Sequence, residues 1–404
     1  MTPGVLCLVI GAAAAALTLN VHWPIRRWSV ALLPSFFAGW LVAELAWHHL
    51  VWQLVVAVLC VAGGALETWQ GQVGLGLLGA SCLGLVHLGW SAAQTDARFD
   101  AALTSRPEDL VAPLRGRGLV PFLLGDRRVR VERNIPYADE ASRRHTLDIY
   151  RPADHDPVRA PVLLWIHGGG WVMGHKRQQA LPMLHYLAAR GWVCVAANYR
   201  LSPRTRFPGH IIDNKRALRW VRAHIEAYGG DPSFIAVSGG SAGAHLASLL
   251  ALTAEARAFQ PGFEDETLTV QACVPIYGVY DFADRDGHYP HHGMRRLLEL
   301  AVMPTKRKAD PDGWAQASPL SWVSPDAPPF CVVHGVHDNM APVAQARGFV
   351  EALRAVSKRE VVYVEVPFAH HAYDVFHSPR TAATTRGIHA FLATLHARHE
   401  NDAN

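Results

Sequence analysis

Two hydrophobic patterns divide this chain near Arg98. From Val5 to Ala93 almost every position is apolar or small, and Arg26, Arg27, Glu44 and Glu67 carry the full charges there. Such a run is not that of an ordinary soluble domain. Windows near the roughly 20 residues that a membrane-crossing helix needs lie at Gly4–Val21, Trp28–Trp47, Leu50–Leu66 and Val73–Ala93. The pattern predicts three or four transmembrane helices over residues 1–97, and hence a multi-pass protein of the cell membrane. The first window offers small-residue cleavage sites but lacks the basic start of a signal peptide. Trp23, Trp28, Trp40, Trp47, Trp52, Trp69 and Trp90 mostly fall near window ends, as an aromatic belt would place them. Arg26 and Arg27 mark one loop as cytoplasmic, and Arg98, Arg106, Arg115 and Arg117 mark the segment after the last window the same way. Three spans satisfy both clusters and four do not. The turn at His48-His49 either joins two spans or lies inside one long helix.

Residues 98–128 read as a linker or arm, rich in Arg, Gly and Pro from Ser105 onward. A different rhythm then begins and defines a catalytic domain over 129–404. Short apolar runs at Val129–Arg133, Thr146–Tyr150, Val162–Ile166, Val193–Ala197, Phe234–Val237, Ala272–Ile276, Phe330–Val333 and Val361–Val366 predict strands. Helical periodicity at Gln178–Ala189, Ile211–Tyr228, Ala244–Leu252, Pro342–Val356 and Arg380–Leu395 separates most of them. Near-continuous valine and isoleucine runs alternating with helices indicate an α/β fold, with about eight mostly parallel strands covered by helices on both faces. Tyr280–Val323 interrupts the rhythm and reads either as a cap-like insertion of about 280–323 or as a long surface excursion.

Composition removes several functions. The net charge of +4 is small for 404 residues, and no basic run interleaved with aromatics suggests nucleic acid. The cysteines, Cys7, Cys60, Cys82, Cys194, Cys273 and Cys331, form no CxxC pair and sit in apolar runs. Buried free thiols follow, rather than a disulfide framework or a zinc site.

The chemistry concentrates at the predicted carboxyl ends of strands, where open α/β sheets place their active sites. Gly239-Gly240-Ser241-Ala242-Gly243 joins a strand to a helix, so Ser241 sits on a corner of the nucleophile-elbow kind. Small neighbours are required because the turn forces the serine into a strained backbone angle. Ester cleavage by a serine also needs oxyanion donors, a general base and an acid that orients the base. His167-Gly168-Gly169-Gly170 follows a strand and can offer the amides of Gly168 and Gly169 beside that of Ala242. Asp338 leaves the strand Phe330–Val333 as the candidate acid, and His370 and His371 both follow Val361–Val366. The chain order Ser241, Asp338, His is that of the α/β-hydrolases.

On these residues the chain resembles the α/β-hydrolase esterases of the bacterial hormone-sensitive lipase group, close to actinobacterial membrane-anchored carboxylesterases. The resemblance covers Val129 to about His399. It is carried by His167–Trp171, Asn198-Tyr199-Arg200-Leu201-Ser202-Pro203, Phe207-Pro208 with Asp213, Gly229–Pro232 and the elbow. The family pattern places the catalytic histidine in a His-Ala-Phe or His-Ala-Tyr context, which selects His371 of His371-Ala372-Tyr373 over His370. It implies short- or medium-chain acyl esters as substrates, with no metal and no organic cofactor. One departure is Gly240, where that group typically carries Asp; this is more like the carboxylesterase and arylformamidase-like branch.

Other features carry less. Trp171 either lines the acyl or alcohol pocket as a substrate-binding residue or packs at the sheet edge. His288, His291 and His292 have metal-like spacing but no framing element, and read as a solvated segment. Glu44 and His48, at i and i+4, face each other inside a helix bundle on this reading. The expected enzyme is a membrane-anchored serine carboxylesterase or lipase acting on small-molecule or lipid esters through an acyl-enzyme. Acyl transfer to a lipid or sugar alcohol, and a non-catalytic binding module on the same fold, are the alternatives.

Overall fold

The fold is that of a computed structural model, which describes residues 2–27, 29–104, 125–139 and 142–403. Most of the expected linker, residues 105–124, lies outside the described residues. Four helices come first: α1 (Pro3–His22), α2 (Ser29–Glu44), α3 (Ala46–Ala62) and α4 (Trp69–Ala102). Proline at the first position and the Thr2 hydroxyl, which accepts from the Val5 amide, start α1; Thr68 caps α4 in the same way at Gly71. The helices α1 and α4 pack side by side and run parallel. Their contacts advance together, from Gly4 beside Thr68 and Gly11 beside Gly74 to Thr18 bonded to Ser81 at 2.7 Å and His22 beside His87 at 3.2 Å. A Cβ on Gly11 would come within 3.0 Å of the Gly74 carbonyl carbon, so small residues let the two backbones meet.

Among the described residues, α1 and α4 are long and apolar enough to cross a membrane, and the pair α2–α3, bent by 86°, makes a third if counted as one span. The break falls at Leu45, and of the two readings of His48-His49 the structure follows the one that puts them inside a helix, α3. A physical reason is that Glu44, the last residue of α2, is bound to Ser378 and Arg380 of the following unit, so the chain turns there. Among the described residues, nearly all the large exposed apolar side chains belong to this helical unit, between Leu6 and Trp90; outside it there are Val158, Met173, Leu300 and Val356.

The second unit is built on eight strands: β1 (Val129–Pro136), β2 (Thr146–Pro152), β3 (Ala160–Ile166), β4 (Val193–Ala197), β5 (Gly230–Gly240), β6 (Ala272–Ile276), β7 (Phe330–Gly335) and β8 (Val361–Val366). Their order is β1-β2-β4-β3-β5-β6-β7-β8, antiparallel through β2 and parallel from β4 to β8. Among the described residues seven helices complete it: α5 (Leu181–Ala188), α6 (Gly209–His224), α7 (Ala242–Leu252), α8 (Gly293–Leu297), α9 (Pro311–Gln316), α10 (Val343–Val356) and α11 (Pro379–Ala403). Alternate strand residues feed two cores. Val162, Leu164 and Ile166 pack with Leu218, Leu246 and Phe349 on one face. Leu163 and Trp165 pack with Leu184, Leu187 and Phe391 on the other, together with Phe99 from the end of α4. The long helix α4 is therefore part of both units. The insertion over 280–323 is anchored, not free: Phe282 and Trp314 are buried, and the amide of Phe207 donates to the Val302 carbonyl at 2.8 Å.

Candidate active site

Ser241 sits between β5 and α7 with φ 57° and ψ −122°, a left-handed angle that a serine adopts only under constraint. The constraint is space. A Cβ on Gly239 would come within 2.5 Å of the Gly243 carbonyl carbon, and one on Gly243 within 2.7 Å of the His167 oxygen. The Ser241 amide donates to the Ile276 carbonyl at 3.0 Å, which ties the corner to β6.

The structure brings together three of the expected site residues. His371 stands 2.7 Å from the Ser241 hydroxyl through Nε2 and 2.7 Å from Asp338 Oδ2 through Nδ1. Asp338 is buried, and its other oxygen accepts the amides of Met340 and Ala341, each at 2.8 Å. Burial alone would raise its pKa, but the neighbouring imidazoles of His371 and His334 more than offset that and hold the carboxylate below its ordinary range. His370 points elsewhere. Its ring is buried against α2, where a Cβ on Gly39 would lie 2.6 Å from His370 Cε1, and burial lowers its pKa to about 3.

The glycine loop reaches the same corner: a Cβ on Gly168 would sit 3.0 Å from Ser241 Cβ. Its amide, however, donates to Gln179 Oε1 at 2.7 Å. Of the expected oxyanion donors, Gly169 and Ala242 remain once Gln179 has taken Gly168. Trp171 differs from expectation as a substrate contact. Its side chain is 1% exposed, packs on His245 and Phe282, and donates Nε1–H to His245 at 3.3 Å. A left-handed backbone at Trp171, φ 62°, turns the chain so that the indole fills core behind the loop. The Asn198–Pro203 motif supports this loop from below: the Tyr199 hydroxyl donates to the His167 carbonyl at 3.1 Å, and Arg200 binds the buried Asp213.

Residues 147–353 match the BD-FAE family. Over 405 aligned residues the sequence is 44% identical to the probable carboxylic ester hydrolase LipM of Mycobacterium tuberculosis, covering 96% of this chain and 93% of that one. The chain belongs to the hormone-sensitive-lipase-like carboxylesterases. It is also 40% identical to the esterase LipC of the same organism, over 72% of each chain. Among solved structures it is similar to a thermophilic esterase of the planctomycete Thermogutta terrifontis with propionate bound, at TM-score 0.53 and 26% identity, covering 66% of this chain and 94% of that one.

Several residues of this carboxylesterase were not found by reading its sequence. Tyr277 lies with its ring 4.9 Å from that of His371 and donates its hydroxyl to Asp374, which burial pushes up to a pKa of about 6. Its ring also fills the space beside Gly240, where a Cβ would lie 2.9 Å from Tyr277 Cε2. That contact accounts physically for glycine at a position where the resemblance leads one to expect aspartate. Glu44 is bound to Arg380 and Ser378, a pairing across 336 and 334 positions that periodicity does not reveal. His291 accepts the Gly293 amide at 2.9 Å, and no group of three His, Cys, Asp or Glu among the described residues is arranged to hold a metal. A groove of about 1000 Å³ beside α6 shares no residue with the Ser241 cluster, and two of its arginines are engaged, Arg219 by Glu266 and Arg222 by the Thr267 and Thr269 carbonyls.

Proposed function

We propose that this chain is a serine carboxylic ester hydrolase that cleaves short- to medium-chain acyl esters through an acyl-enzyme, held in a lipid bilayer by α1 to α4. The observation that carries the reading is the single imidazole of His371 between the Ser241 hydroxyl and a buried carboxylate. In that arrangement His371 Nε2 accepts the proton as Ser241 Oγ attacks the ester carbonyl, and Asp338 holds the ring through Nδ1 and stabilises the imidazolium. The amides of Gly169 and Ala242 receive the developing oxyanion. Collapse returns the proton to the departing alcohol, and water activated by the same histidine then releases the acid. The propionate-bound esterase supports a short acyl group. The apolar outer surface of α1 to α4 supports anchorage, since such a surface is stable in lipid and not in water.

The test is turnover of a p-nitrophenyl ester chain-length series by the full chain in detergent. Ser241→Ala is expected to reduce kcat by about 10⁶-fold with an unchanged melting temperature, and a short chain to give the highest kcat/KM. Activity retained in Ser241→Ala overturns the assignment.

A further inference from the structure

Both loops that carry the candidate acid and base are gripped from outside the sheet. Trp40 of α2 donates its indole N–H to the carbonyl of Ala372, the residue after His371, at 2.9 Å. Ala372 has φ 56°, a left-handed angle that needs such outside support in a residue with a side chain. The Trp40 ring packs on Phe376 at 4.6 Å, and Phe36, one turn earlier, presents its edge to the ring of His371 at 6.3 Å. Farther along α2, Glu44 accepts the Ser378 hydroxyl at 2.5 Å. Arg380 closes the loop from its far end. Its guanidinium donates to the carbonyls of Pro367, Ala43 and Leu88 at 2.8, 2.9 and 3.1 Å, so the start of the histidine loop, α2 and α4 share one cation.

The aspartate loop is held in the same manner. Asn339 donates to the Ile25 carbonyl at 3.1 Å, His337 meets the Val21 carbonyl at 2.8 Å, and Arg26 donates to the Val336 carbonyl at 3.3 Å. A peripheral anchor joined only by a linker makes no such contacts. Here the carbonyl beside the base and the residues on either side of the acid are all bonded to the helical unit.

We propose that α2 is a working part of the active site, with Trp40 and Glu44 as positioning residues that hold the loop of His371 in register with Ser241. The proposal rests on the esterase reading given above. It makes the helical unit a requirement for turnover and not for location alone.

The experiment compares full-chain Trp40→Phe and Glu44→Gln with Ser81→Ala, which removes an α1–α4 hydrogen bond whose side chains bond to neither loop. Three readouts are taken: kcat and KM across pH, the rate at which a fluorophosphonate labels Ser241, and the downfield N–H proton resonance of the His371–Asp338 pair. Losing one hydrogen bond that orients the base is expected to lower kcat by about fivefold, with KM within about twofold of the parent. The acid limb of kcat/KM and the proton resonance should shift in the α2 variants, and labelling should slow in step with kcat. Ser81→Ala should leave all three unchanged, even where it lowers the melting temperature.

The proposal is overturned if the α2 variants keep the parent kcat, pH profile and resonance, or if Ser81→Ala matches their loss. A parent protein that neither turns over esters nor labels at Ser241 sinks the esterase reading instead. The proton resonance then still decides whether α2 holds the imidazole.

Discussion

Replacing Gly240 by alanine tests whether the ring of Tyr277 sets the geometry of the base. The backbone of Gly240 is not left-handed, so the argument is one of space alone. The added methyl carbon would lie 2.9 Å from both Cε2 and Cζ of Tyr277, and closer still to its hydroxyl. Tyr277 cannot easily yield. It is fully buried, its amide donates to the Val333 carbonyl at 2.8 Å, and its hydroxyl is bound to Asp374. Overpacking of this kind costs about 1–3 kcal/mol, and a displaced hydroxyl that leaves the carboxyl unpartnered adds about 1–3 kcal/mol. Because the ring also abuts His371 at 4.9 Å, a shift of the order of 1 Å should lower kcat/KM by about 10²-fold. Thermal unfolding and ester kinetics on Gly240→Ala, Tyr277→Ala and the double variant form a cycle. The alanine at 240 should be nearly harmless once the ring is gone, which gives a coupling of at least about 1 kcal/mol. Additive effects, or a Gly240→Ala protein with parental stability and rate, would refute the reasoning.

Four further outcomes follow from the structure. His371→Ala should remove ester turnover, whereas His370→Ala should keep most of kcat and lose stability through the cavity it leaves beside Gly39, as ester assays and melting curves on the two variants would report; a larger loss of turnover from His370→Ala contradicts the assignment. Asp374 has its pKa raised from 3.8 to about 6 by burial, so folding favours its protonated form. Its contribution is fully present below 3.8 and is lost as pH rises through 6, and Asp374→Asn should flatten that part of the melting-temperature profile and stabilise the protein at pH 7. Asp338 works in the opposite sense, since its pKa is depressed: its contribution is present above 3.8 and is lost on further acidification, and melting curves of Asp338→Asn below that pH should converge on the parent. Arg380→Met leaves Glu44 buried without its cation and should destabilise the chain by about 3–5 kcal/mol, while the double change with Glu44→Leu should recover much of that in the same unfolding assay.

Much of the sheet was legible because its central strands are buried on both faces. Val193–Ala197 and Ala272–Ile276 are uninterrupted apolar runs with the same limits in sequence and structure, and the edge strand Val361–Val366, buried at alternate residues, keeps its limits too. Boundaries failed where polar partners lie far off in the chain. The last long helix continues past Ala93 to Ala102, because Asp96 is paired with Arg386 and Phe99 is buried in the sheet unit. The elbow and glycine loop carried local spacing that could be read directly. Tyr277, Gln179 and Trp40 carried none, since each acts through one contact made by tertiary packing. Trp171 was ambiguous for the same reason: an indole beside a glycine loop reads alike whether it faces a substrate or a core.

The parallel course of α1 and α4 has a consequence for topology. Two adjacent rods that point the same way can be consecutive traverses only if the chain between them travels back, and α2 with α3 makes that return, from Ile25 beside Asn339 to Ala65 beside Gly71. On the proposed bilayer reading that return makes the number of passages odd, with the start of α1 and Ser241 on opposite sides of the membrane. Arg26 reaches the Val336 carbonyl beside the candidate acid, so on the same bilayer reading the positive-inside rule would put the hydrolytic end in the cytosol, with the esters of the inner leaflet within reach.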